Sequence, residues 1–167
     1  MTIELEQHID SKFISILEKV YDPEIPVLSI MDMGVVRSAK VVNNVVQITI
    51  TPTYSGCPAM DVLGEDIIKA FAQEGINAKV SLVLSPAWTT DWITPRGRKA
   101  LEDYGIAAPL DEESDKEALL GNKKIVKCTQ CGSTNTKMIS QFGSTACKAL
   151  FQCEDCQEPF DYFKCLK

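Results

Sequence analysis

The sequence predicts an α+β protein: a small two-layer α-β-β-α-β-α domain with a mixed sheet, followed by a β-rich C-terminal ribbon. Two observations carry this expectation. Apolar residues recur at helical spacing in segments that bracket β-branched runs, whereas the cysteine-rich tail shows only short polar–apolar alternations. Ile9, Phe13, Ile16, Leu17 and Val20 form a helical stripe over residues 4–20, which Asp22-Pro23 stops, and such a stripe is core packing. After the loop DPEIPVLSIMDMG come VVRSAKVV and VVQITIT, joined by Asn43-Asn44, residues that tolerate the positive φ of a tight hairpin. TPTYSGCP then takes the chain out of the sheet. Pro58 suits the first turn of a second helix, Gly75 suits a position just past its end, and Met60, Leu63, Ile67, Ala70 and Phe71 form its buried stripe. AKVSLVL reads as a third strand. Thr94, Pro95 and Gly105 read as the cap, first residue and terminator of a third helix.

A hairpin followed by a helical crossover places the helices on one face of the sheet. This domain is expected over residues 1–108, an acidic linker over 109–124, and the ribbon over 125–167. The linker contains DEESDKE, with too little apolar content to pack.

Charge and composition narrow the function classes. Residues 1–122 hold ten Lys and Arg against nineteen Asp and Glu, whereas 123–167 hold seven against four. An acidic body lacks the cation surplus that phosphate neutralisation needs, so nucleic acid is not an expected partner. No run of about eighteen apolar residues occurs and the first ten residues are acidic, so we expect neither a membrane span nor a signal peptide, and a cytoplasmic setting. There the seven cysteines stay reduced, which favours metal ligation or reactive thiols over disulfides.

Cys128-Thr-Gln-Cys131 and Cys153-Glu-Asp-Cys156 are two CxxC pairs at zinc-site spacing. Two such turns on facing hairpins close a tetrahedral site with no open coordination position, which holds shape and activates no water. Structural zinc is the expected occupant, with an iron–sulfur cluster or bare thiols as alternatives. Cys147 and Cys165 are left over, either as small buried hydrophobes or as a second soft-metal position.

Cys57 precedes Pro58 at a helix start, where unpaired N–H groups and the helix dipole favour a thiolate. It reads either as a reactive thiol or as a small residue buried at a tight junction. The only histidine, His8, falls in the opening helix, and there is no glycine-rich phosphate loop, so neither a general base nor a nucleotide cradle is evident. Asp22 and Glu24 form a stiff acidic turn, either a solvated helix stop or neighbours of the Cys57 loop. Trp88, Asp91, Trp92 and Arg96 offer a partner-binding rim, with packing of the tryptophans on the sheet as the alternative.

Taken together, DPEIPVLSIMDMGVV, ITITPTYSGCPAM and SLVLSPAWTTDWITPRGRKALEDYGIAAP resemble the MIP18 (DUF59) domain family associated with iron–sulfur assembly. CTQCGSTNTKMISQFGSTACKALFQCEDCQEPFDYFKCLK resembles the zinc ribbon that accompanies this domain in one branch. The resemblance implies a non-enzymatic accessory subunit of the ring-1,2-phenylacetyl-CoA epoxidase system of aerobic phenylacetate degradation, with its oxygenase and reductase subunits as partners. It puts the family's domain thiol on Cys57, its acidic turn on Asp22 and Glu24, and its zinc ligands on Cys128, Cys131, Cys153 and Cys156. The implied task is maturing or delivering the metal centre of a partner such as the reductase, with a transient iron or iron–sulfur cluster as cargo. A lone thiol holds a cluster poorly, so Cys147, Cys165 or a second copy would supply further ligands. The rival reading is a non-catalytic structural subunit that bridges the oxygenase components.

Overall fold

The computed structural model describes residues 8–110 and 126–164, which divide into two compact units, Met1–Trp88 and Thr89–Lys167. The first unit opens with β1 (His8–Ile9) and α1 (Ser11–Leu17), continues through α2 (Ile30–Met33) to β2 (Val36–Val42) and β3 (Val45–Ile50), and ends with α3 (Ala59–Gln73) and β4 (Ala78–Leu82). Its sheet has the order β1-β2-β3-β4, with β2 and β3 antiparallel and both outer pairs parallel. It is the mixed sheet expected.

The hairpin forms where Asn43 and Asn44 occur, with φ of 49° and 64°. In β3, Val46, Ile48 and Ile50 are buried while Gln47 is exposed, so one face of the sheet is covered. α3 covers it: Gly64 lies against Val80 of β4, Phe71 packs on Phe13 of α1 with ring centroids 5.5 Å apart, and Met60, Leu63 and Ile67 complete the buried stripe. Among the described residues no helix is long and apolar enough to cross a membrane.

Two local differences from the sequence reading stand out. The opening helix starts only at Ser11, capped by Asp10, and His8 lies instead on a two-residue strand parallel to β2. So short a strand has no periodicity to detect. The segment DPEIPVLSIMDMG, expected as loop throughout, contains α2: Ser29 Oγ accepts from Asp32 N at 3.1 Å and donates to Asp32 Oδ2 at 3.0 Å, and Gly34 at φ 75° ends the turn.

The second unit holds α4 (Pro95–Tyr104), β5 (Ile106–Ala107), β6 (Thr136–Ser140), β7 (Lys148–Cys153) and β8 (Pro159–Phe163), with sheet order β5-β8-β7-β6. Thr94 caps α4, Pro95 opens it and Gly105 at φ 95° closes it, as expected. What differs is its company. β5 pairs in parallel with β8 of the ribbon, Ile106 and Ala107 are buried, and α4 and β5 fall in the second compact unit. The ribbon core gathers Ala107, Val126, Ala149, Phe151, Phe160 and Tyr162. Of the expected linker, only Pro109 and Leu110 are among the described residues.

Candidate metal centre and the Cys57 loop

Two backbone knuckles build the cysteine cluster. In the first, Gly132 N donates to Cys128 O at 3.0 Å and Gln130 N to Cys128 Sγ at 3.4 Å. In the second, Cys153 N donates to Glu158 O at 3.0 Å and Cys156 N to Cys153 Sγ at 3.5 Å. Each knuckle is followed by a left-handed residue, Gly132 at φ 71° and Gln157 at φ 66°, which turns the chain back into the ribbon.

The four sulfurs lie within 4.8 Å of one another, with Cys128–Cys156 and Cys131–Cys153 at 3.6 Å. A tetrahedral site with zinc–sulfur bonds of about 2.3 Å has sulfur–sulfur edges of about 3.8 Å. The donor set therefore fits zinc in size and in chemistry: four soft thiols, two buried and two exposed, with backbone N–H groups pointed at the sulfurs. The thiols titrate apart. Cys153 is drawn down to about 7, chiefly by the Cys156 N–H against the opposing effect of burial, with the Asp155 N–H assisting. Cys156 accepts the Glu158 N–H, which lowers it, yet burial and its hydrogen bonds to Cys128, Cys131 and Cys153 push it up to about 12. A divalent cation bound by Cys128, Cys131, Cys153 and Cys156 would replace those protons and hold the four thiolates together.

The knuckles are also tied to each other by residues that the CxxC pattern does not reveal. Asp155 accepts from Asn135 Nδ2 at 2.8 Å and from Ser133 Oγ, and these bonds hold its carboxyl below the usual range. Glu154 N donates to Asn135 O at 2.8 Å, and Lys137 pairs with Glu154 at 3.0 Å. Their only signal in the sequence is their proximity to the cysteines.

Cys57 sits in the first unit at the mouth of α3. Its N–H donates to Tyr54 O at 3.3 Å, closing a turn in which Gly56 takes φ 79°, and Met60 N donates to Cys57 O at 3.2 Å. The residue is half-buried. It follows β3 and begins the crossover to β4, so it lies at the carboxyl ends of parallel strands, where open α/β units present their sites.

The supporting residues separate. Asp22 is buried, not solvated: its Oδ1 accepts from Glu24 N at 2.8 Å and Ile25 N at 2.9 Å and so forms the turn, while the Glu24 residue is half-buried. Cys147 is buried in the second unit with its sulfur 3.1 Å from Thr145 Oγ1, and Cys165 lies outside the described residues. None of the six described cysteines is in a disulfide.

The rim divides as well. Trp88 is 2% exposed and donates its indole N–H to Met33 O at 2.9 Å, so it packs and cannot present a surface to a partner. Asp91 and Arg96 are exposed and Trp92 is half-buried, on the turn Thr90–Trp92 and the start of α4. Arg98 instead clamps that turn, donating to Thr90 O at 2.8 Å and to Pro109 O.

Comparison with known proteins follows this division. Residues 12–82 match the family model described as iron–sulfur cluster assembly protein, and residues 112–164 match the PaaD zinc beta ribbon domain. A crystal structure of a DUF59 domain from Bacillus anthracis superposes with a TM-score of 0.50 at 29% identity, over 54% of this chain and 88% of that one. An Fe–S protein maturation auxiliary factor from Porphyromonas gingivalis is 33% identical over 51% of this chain and 83% of its own length. YitW of Bacillus subtilis, which bears the same description, is 30% identical over 58% of this chain and 97% of its own. A protein from Escherichia coli, provisionally assigned as the PaaD component of 1,2-phenylacetyl-CoA epoxidase, is 46% identical over 91% of this chain and 90% of its own length. Since that similarity spans both the DUF59-like unit and the four-cysteine ribbon, the chain belongs to the PaaD family of phenylacetyl-CoA epoxidase components.

Proposed function

We propose that this chain is a non-catalytic accessory subunit of the ring-1,2-phenylacetyl-CoA epoxidase system, working in the cytoplasm to mature or deliver the iron–sulfur centre of a partner such as the reductase. The observation that carries this reading is the division of sulfur among the described residues: four cysteines gathered at one point in the ribbon, and Cys57, outside that cluster, half-exposed at the mouth of α3. Zinc in the ribbon holds shape, while Cys57 takes up iron or a cluster as cargo and yields it. One thiolate is an incomplete ligand set, which suits exchange better than storage. Asp22 acts by holding the turn before α2, and Glu24 or a second copy completes the ligation. The iron–sulfur cluster assembly family model matches residues 12–82, a span that includes Cys57, and this supports the same assignment.

Anaerobic reconstitution with iron and sulfide tests it. The wild-type chain activates apo-reductase, and Cys57→Ala, with its zinc intact, does not. Equal cluster absorbance and equal activation by the two proteins would end the carrier reading. The second reading, a structural subunit bridging oxygenase components, is favoured by the exposed Asp91 and Arg96 beside Trp92. It predicts stable copurification with no dependence on Cys57.

A further inference from the structure

β4 is the last strand of the first unit's sheet and is paired on one side only. The ladder shows which of its backbone groups face β3. Asn77 O accepts from Val46 N at 2.8 Å and Val83 N donates to Ile50 O at 2.9 Å, so residues 77, 79, 81 and 83 turn their N–H and C=O groups toward β3. Those of Ala78, Val80 and Leu82 turn outward, and among the described residues nothing bonds to them. Natural sheet edges are commonly blunted by proline, a bulge or an outward charge. Ala78–Leu82 has no proline and an unbroken register, and its one charge, Lys79, lies beside Gln47 on the uncovered face of the sheet.

The side chains of the outward residues lie on the helical face, where a Cβ on Gly64 of α3 would stand 3.9 Å from Val80 Cγ1. Leu82 is 50% exposed and Leu84, just past the strand, 62%. By helical spacing Asp61 and Ile68 share a stripe with Gly64, one turn to either side, and so overlook the same edge. Ile68 is 42% exposed, and Asp61 is exposed with no ion pair among the described residues. Gly64 keeps the wall between them low. The groove opens at the mouth that holds Cys57: Leu82 is in register with Ile50, where the chain leaves β3 for Cys57, and α3 starts at that end to cross over to β4.

A second copy fits this edge poorly. Residues 1–122 hold ten Lys and Arg against nineteen acids, so two such bodies repel, and a two-fold axis pairing β4 with β4 sets the two Cys57 thiols at opposite ends. We propose that the β4 edge docks the recipient of the metal carried on Cys57, which lays an extended segment along it. The segment's backbone pairs with Ala78, Val80 and Leu82, its apolar side chains cover Leu82, Leu84 and Ile68, and a Lys or Arg meets Asp61. Unpaired main-chain groups call for a strand, the exposed leucines for apolar positions, and the unpaired carboxylate for a cation. The proposal deepens the carrier reading of Cys57 and rests on it.

The test titrates zinc-loaded full-length chain, reconstituted anaerobically with iron and sulfide, against purified apo-reductase at several salt concentrations. Wild type is compared with Leu82→Pro, Gly64→Leu and Asp61→Lys. Leu82→Pro removes an N–H that β3 does not use, and Gly64→Leu fills the groove while favouring the helix. All three retain Cys57 and keep the wild-type cluster absorbance. The dissociation constant rises about tenfold or more in Leu82→Pro and Gly64→Leu, the loss of a hot-spot contact, and activation falls with it. Asp61→Lys also binds more weakly, and it loses the weakening with salt that the wild type shows. Wild-type affinity in Leu82→Pro and Gly64→Leu overturns the edge alone, and wild-type salt dependence in Asp61→Lys overturns the basic segment. Should Leu82→Pro fail to fold, Gly64→Leu decides. A wild-type dimer that Leu82→Pro or Gly64→Leu dissociates assigns the edge to a second copy and overturns the recipient. Activation that persists in Cys57→Ala ends the carrier reading itself, and a wild type that neither binds nor activates apo-reductase overturns both.

Discussion

Replacing Trp88 by Phe removes one hydrogen-bond donor and part of one ring from a site that is 2% exposed. The indole N–H donates to Met33 O at 2.9 Å. That carbonyl belongs to the last turn of α2, where carbonyls lack helical partners, and Met33 is 1% exposed, so water cannot replace the donor. Leaving a buried acceptor unpaired costs about 1–3 kcal/mol, and the vacated ring volume adds a smaller cavity cost. In a unit of this size each kcal/mol lowers the melting temperature by about 4–8 °C, so the first unit should melt roughly 5–20 °C lower. Calorimetry measures this, with zinc content and partner affinity determined on the same protein below its transition. The expected result is lost stability with unchanged affinity. Unchanged melting together with weakened partner binding would refute the packing argument and return Trp88 to the docking rim.

Two further outcomes follow from the ribbon. The apo cluster retains protons at neutral pH, with Cys156 held at about 12 and Cys153 near 7, so zinc binding releases protons and zinc affinity falls as pH drops into the acid range. Titration calorimetry in buffers of different ionisation enthalpy reads the proton count, and a pH-independent affinity would contradict the four-thiolate site. Gly132→Ala should cost about 1–2 kcal/mol of zinc-loaded stability, because φ is 71° while a Cβ there meets nothing within 4 Å. A neutral effect in thermal melts would show that the knuckle can relax.

Much of the candidate site was legible because its determinants are local. Each CxxC pair places two sulfurs on one turn whatever surrounds it, and Thr94-Pro95 with Gly105 encloses α4 by backbone preferences that act over a few residues. Asn43-Asn44 specifies a two-residue hairpin for the same reason. The cross-tie from Asp155 to Ser133 and Asn135 was not legible, since it joins residues about twenty positions apart through polar side chains common on any surface.

The chain's order of residues by itself determined the helical stripes, the hairpin and the cysteine quartet, because period, turn chemistry and ligand spacing are properties of neighbours. Tertiary structure alone decided that β5 joins the ribbon sheet, that Trp88 is inside, that Asp22 is spent on a turn and that Phe142 is outside. Those outcomes depend on which distant surfaces meet and exclude water. A two-residue strand, or one aromatic ring among several, carries no periodic trace of that choice.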